Sequence, residues 1–118
     1  LRIRSYKDLI AWQRGIDLAV ACYDCTRLFP IHERYCLTQQ IRRAAISVPA
    51  NIAEGQGRYH RPEFLHHLSY SRGSVQEVET FPTIAERLKY NLGESGEVVI
   101  DLCDEVSRLL AGLRRSLI

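Results

Sequence analysis

The chain has 118 residues, 46% hydrophobic and 25% charged, with a net charge of +2; this is the composition of an ordinary globular protein with enough residues for one real core. No run approaches the roughly 18 apolar residues of a membrane span and no secretory leader is visible, so a cytoplasmic single domain over 1–118 is expected, with no membrane partner. A pI of about 8.5 falls short of the values above about 9 that mark an overtly basic nucleic-acid domain. Any basic surface must therefore come from clustering, or from subunits adding their charge around an axis.

Four helices are predicted in chain order. The first runs from Tyr6 to Leu28, where Leu9, Trp12, Ile16, Ala19 and Tyr23 recur at 3,4 spacing and Phe29-Pro30 forces the chain out of the α region. The second runs from Glu33 to Glu54 and is stopped by Gly55 and Gly57. The third runs from Pro62 to Asn91, with Leu68, Ser71, Val75, Val78, Pro82 and Ala85 near one seam. The fourth runs from Gly96 to Leu117 on an unbroken repeat of Val99, Leu102, Val106, Leu109 and Leu113. No segment alternates as a strand does. Short links make sequential helices antiparallel neighbours, so the expected fold is all-α, an antiparallel up-down-up-down four-helix bundle.

The second helix is the most informative. Leu37, Ile41, Ala44, Val48 and Ile52 make one apolar face, and Ala45, Ile46, Pro49, Ala50 and Ala53 make another. A helix apolar nearly all round is buried on more than one side, and a domain of this size has little interior to surround it. Ile46, Pro49, Ala50 and Ala53 are therefore expected to meet another subunit. Gln40, Arg43, Ser47, Asn51, Glu54 and Arg58 form one narrow polar stripe. Ser47, Asn51 and Glu54 are read as a satisfied network that sets register, in preference to a channel lining. Pro49 removes the hydrogen bond to the Ala45 carbonyl, and Ser47 is expected to bond back to the Arg43 carbonyl beside it. In the third helix, Gly73 among Ser69, Ser71 and Ser74 leaves room for a close helix approach.

Cys22 and Cys25 make a C-x-x-C inside a helical pattern, and with Cys36 and Cys103 they match no standard zinc spacing. Reduced, mostly buried thiols are expected. Glu63-x-x-His66 is half of a di-iron carboxylate motif, but no second E-x-x-H exists, so no metal or other cofactor is expected. No Walker or Rossmann phosphate loop occurs, and Gly55-Gln-Gly-Arg58 follows a helix, so it reads as a helix cap and turn. A non-enzyme is expected.

Longer motifs carry a family resemblance. They are Leu9-x-x-Trp12-Gln13, Phe29-Pro30-x-x-Glu33, Gln40-Ile-Arg-Arg-Ala-Ala-Ile-Ser-Val-Pro49, Asn51-Ile-Ala-Glu-Gly55, Gly57-Arg58, Glu63-Phe64, and Gly73-Ser74-x-x-Glu77-x-Glu79-Thr80. Over nearly its whole length the chain resembles the four-helix bundle proteins of intervening sequences in bacterial large-subunit ribosomal RNA genes. These are similar to the accessory protein of diversity-generating retroelements. The resemblance implies a left-handed bundle, a barrel-like homopentamer, an association with nucleic acid and no established catalysis. His60, where the family carries a better N-cap, and Pro82, where it carries a helix former, depart from the pattern; Pro82 is expected to kink the third helix.

Arg42, Arg43, Arg58 and Arg61 would neutralise phosphates, and Tyr59 would stack on an unpaired base. The leading expectation is a non-enzymatic oligomer that binds structured RNA or DNA through these residues. The alternative is an oligomeric scaffold or accessory subunit whose partner is another protein. Glu77 and Glu79 are expected to pair with Arg42 or Arg43 across the bundle.

Overall fold

The computed structural model describes residues 5–118; the first four residues of the expected domain lie outside the described residues. The chain is all-α, and no strand forms among the described residues. The helices are α1 (Ile10–Thr26), α2 (Leu37–Gly57), α3 (Arg61–Arg87) and α4 (Gly93–Leu117), with 3₁₀ turns at Tyr6–Asp8 and Ile31–Glu33.

Local chemistry moves the boundaries from those read off periodicity. Ser5 accepts from the Lys7 amide at 2.9 Å, and Asp8 accepts from the Ser5 amide at 3.2 Å. This capping box closes a separate turn, so α1 starts at Ile10 and not at Tyr6. Glu33 also stays outside α2: it accepts from the Leu37 amide at 3.3 Å and from the Tyr90 hydroxyl at 2.7 Å, which ties the first link to the third. Gly55 does not stop α2. It is buried, and a β-carbon there would stand 2.7 Å from the His67 β-carbon, so the glycine permits a close approach of α3. The chain turns instead at Tyr59, which adopts the left-handed conformation at φ 55°. Lys89 ends α3 in the same way at φ 65°; its amide reaches the Glu86 carbonyl and the Tyr90 amide the Ala85 carbonyl, both at 2.9 Å, a Schellman closure. His60 caps α3 with no side-chain hydrogen bond, and α3 stays helical through Pro82 to Arg87.

α1 packs closely on α2 and α4, and α3 packs closely on α2 and α4, while the diagonal pairs stand further apart across the shared core. Between α2 and α3, partners descend in number along one helix as they ascend along the other. Along α2 and α3, Ser47 meets Ser74, Val48 meets Ser71 and Asn51 meets His67. Leu18, Val48, Ile52, Val75, Val78 and Val106 are fully buried in the shared core, each contributing about 1.5–3 kcal/mol of apolar burial. Most of the seams expected for α3 and α4 hold: Leu68, Ser71, Val75, Val78 and Ala85 are buried, as are Val99, Leu102 and Val106, while Pro82, Leu109 and Leu113 are half-buried.

The expected face of α1 is partly displaced: Leu9, just before the helix, is buried in the core, and the rest of the stripe lies at its edge. The buried residues of α1 are Ala11, Gly15, Leu18, Ala21, Cys22, Cys25 and Thr26, whereas Ile16 is 37% exposed and Trp12, Ala19 and Tyr23 are half-buried. Small residues face inward because α1 lies close to α2. A β-carbon on Gly15 would stand 3.4 Å from that of Pro49, so the larger side chains are pushed to the flank of the contact.

Candidate nucleic-acid interface

Arg42 projects from the first third of α2 toward α1. Its Nε donates to the Thr26 hydroxyl at 2.8 Å, and its guanidinium lies 4.4 Å from the centre of the Tyr23 ring. The Thr26 hydroxyl in turn donates to the Cys22 carbonyl at 2.7 Å. The head group is therefore held by a hydrogen bond and a cation–π contact, neither of which cancels its charge. Tyr23 and Arg42 line a cleft of about 400 Å³ with Arg34, Tyr35, Gln39, Arg43 and Ile46. Among the described residues, no carboxylate forms an ion pair with Arg34, Arg42 or Arg43. Tyr35 is 78% exposed, with the Arg34 guanidinium 6.0 Å from its ring centre. One fixed guanidinium and two exposed ones beside an accessible aromatic face can neutralise phosphates and stack on unpaired bases.

The other expected contacts do not join this cleft. Arg58 lies 15 residues further along α2, roughly 22 Å at 1.5 Å per residue. It is paired with Glu54 at 2.9 Å, and that hydrogen bond holds the Glu54 carboxyl below its usual range. Tyr59 is 90% exposed in the link, and Arg61 is exposed at the first position of α3. The basic residues thus form two groups at opposite ends of α2.

Between them, the polar stripe turns toward α3. The Ser47 hydroxyl donates to the Ala44 carbonyl at 2.8 Å, one residue from the expected Arg43 carbonyl, and also meets the Ser74 hydroxyl. Asn51 donates to the Ser47 carbonyl at 2.9 Å and lies 3.1 Å from His67 Nδ1, which stands 4.0 Å from Glu54. Ser71, fully buried, donates to the Val48 carbonyl at 2.6 Å. The serines thus serve the α2–α3 contact, while Gly73 has open space around it.

Of the residues expected at a subunit interface, Ile46 is 47% exposed, Ala50 is exposed and Ala53 is half-buried. Pro49 is buried within the chain, against Gly15, because α1 already covers that side of α2. Glu79 lies between α3 and α4, and neither it nor Glu77 forms an ion pair with Arg42 or Arg43, whose cleft faces α1. Cys22, Cys25 and Cys103 are buried and Cys36 is exposed; burial pushes the Cys22 and Cys103 thiols up to about 12. Among the described residues, no three metal-ligating side chains converge. His66 instead meets the Tyr70 hydroxyl at 2.6 Å. No helix among the described residues is long and apolar enough to cross a membrane.

Sequence reasoning missed Tyr23, Arg34 and Tyr35. Tyr23 reads as part of an apolar stripe, and the Arg34-Tyr35 pair lies in a link without periodicity. The basic–aromatic dipeptide was the only signal there.

Among curated proteins, none matches the chain. A solved structure similar to it is that of a protein of unknown function from the S23 ribosomal protein family of Bacteroides thetaiotaomicron. It is 23% identical, covers 92% of this chain and 98% of that chain, and superposes with a TM-score of 0.80. That likeness is one of fold. The family model described as 23S rRNA-intervening sequence protein matches residues 7–112, all of α1 to α3 and most of α4. This chain belongs to the 23S rRNA-intervening sequence protein family.

Proposed function

We propose that this protein is a non-catalytic, cytoplasmic, single-domain bundle that binds structured RNA or DNA through the α1–α2 cleft. The observation that carries the reading is the set of three guanidiniums, Arg34, Arg42 and Arg43, that share a cleft with Tyr23 and Tyr35 and have no carboxylate partner among the described residues. Arg42 is pre-oriented by Thr26 and Tyr23, so little side-chain freedom is lost on binding. The helices run up-down-up-down, a reading supported by the opposed order of partners along α2 and α3.

The protein works as a homopentamer, with subunits meeting over the outer side of α2. Exposed Ala50, Ile46 at the rim of the cleft and the exposed Ile16–Val20 stripe of α1 support a contact between copies that leaves the cleft open, and the number five rests on the family resemblance. Ile46→Asp should dissociate the assembly; an unchanged mass in light scattering would rule out that interface. For binding, a labelled RNA hairpin and a DNA duplex titrated at several salt concentrations should show affinity that falls log-linearly with salt. No binding to either at low salt would discard the nucleic-acid reading in favour of a protein scaffold.

A further inference from the structure

A second concavity, of about 920 Å³, lies between α3 and α4. Because each helix packs most closely on its two neighbours in the cyclic order α1, α2, α3, α4, this groove opens on the side opposite the α1–α2 cleft. Arg72 and Glu79 enter it from α3, and Asp104, Arg108, Arg114 and Arg115 from α4. Arg108 is paired with Asp104. Arg72, Arg114 and Arg115 have no ion-pair partner among the described residues, so the groove carries four guanidiniums against two carboxylates. The dipole of α4 favours cations in its last turn, which accounts for Arg114 and Arg115. It does not account for Arg72 facing them from α3.

We propose that the α3–α4 groove is a second phosphodiester-binding surface, taking the backbone of a nucleic-acid strand on the face opposite the α1–α2 cleft. The proposal deepens the nucleic-acid reading above and rests on it. From Asp104 to Arg115 the groove follows α4 for roughly 16 Å at 1.5 Å per residue. Successive phosphates of one strand advance about 3.4 Å along a duplex, so several fall within its length. Three unpaired cations gathered at one end of an open trough, with the paired Arg108 further along it, suit neighbouring phosphates of a chain better than a single small anion. The planar guanidinium fork also matches phosphate oxygens two at a time.

The test titrates a labelled RNA hairpin and a DNA duplex of matching sequence at several salt concentrations. The proteins are the wild type, the triple variant Arg72→Ser, Arg114→Ser, Arg115→Ser, the double variant Arg42→Glu, Arg43→Glu, and Glu79→Gln. Losing three phosphate contacts should lower the slope of log affinity against log salt by about 2 to 3 in the triple variant, and Glu79→Gln should tighten binding. The two nucleic acids tell which backbone the groove prefers. Unchanged affinity and slope in the triple variant, with wild-type binding intact, would overturn the proposal. Should the triple variant lose its helical signal, Glu79→Gln decides, and unchanged affinity there overturns it. Loss of binding in the double variant alone leaves the cleft reading standing and removes this one. Loss in the triple variant alone does the reverse. Absence of wild-type binding removes both.

Discussion

The two ends of α2 carry arginines only 15 residues apart and use them in opposite ways. At the first end, Arg42 is held by a hydroxyl and an aromatic ring, and Arg43 lies exposed beside the same cleft with no ion-pair partner among the described residues. At the second end, Arg58 lies against Glu54, which also stands near His67. The first arrangement positions a charge without neutralising it. The second neutralises the charge locally and leaves little for a ligand. Counting arginines in a stripe therefore overstates how many can contact phosphate; the partner of each decides.

The largest effect expected is on the inner face that carries both ends. Ile52 is fully buried, and Ile52→Ala should cost about 2–5 kcal/mol, measured by chemical denaturation. Arg42→Glu with Arg43→Glu should weaken nucleic-acid binding on the order of 100-fold while leaving the helical circular dichroism intact. Equal weakening by Arg58→Glu would erase the contrast between the ends. Ser71→Ala removes one buried hydrogen bond to the Val48 carbonyl and should lower stability by about 1 kcal/mol. That loss would show that the α2–α3 contact holds the middle of α2.

The smallest effect concerns Glu54. The Arg58 hydrogen bond lowers its folded pKa below the ordinary value of 4.5. Its contribution is therefore present above that value and is lost as pH falls through the lowered one. Acid unfolding of Glu54→Gln should accordingly show a shallower loss of stability below about pH 4.5 than the wild type. An identical acid limb would mean that this pair does not hold the second end.

Much of the fold was legible in the residues. Periodicity placed most of the seams of α3 and α4 because large apolar side chains recur there at helical spacing, and the small buried residues Ser71, Ala85 and Cys103 fall in or beside the same rows. Four helices and an all-α class follow from the same patterns and from the short links. In α1 the same method pointed to the flank of the buried face: Leu9 is buried and Trp12 and Ala19 pack against the core, but Ile16 is exposed. Gly15, Ala11 and Cys22 lie inward, and a stripe built on large residues overlooks them. Gly55 and Gly96 also read as helix limits, yet both are buried close-packing positions, Gly55 against His67 and Gly96 against Leu92.

The sequence by itself determined the helices, most of the core and the family, because these depend on local spacing and on the burial of apolar surface. Only the tertiary structure decided which arginines stay unpaired. It brought Arg34 and Tyr35 of a link to Arg42 of α2 and Tyr23 of α1, and it set Arg72 of α3 facing Arg114 and Arg115 of α4. Ion pairing and cleft formation depend on distances of a few ångströms between residues far apart in the chain, and periodicity along one helix carries no information about them.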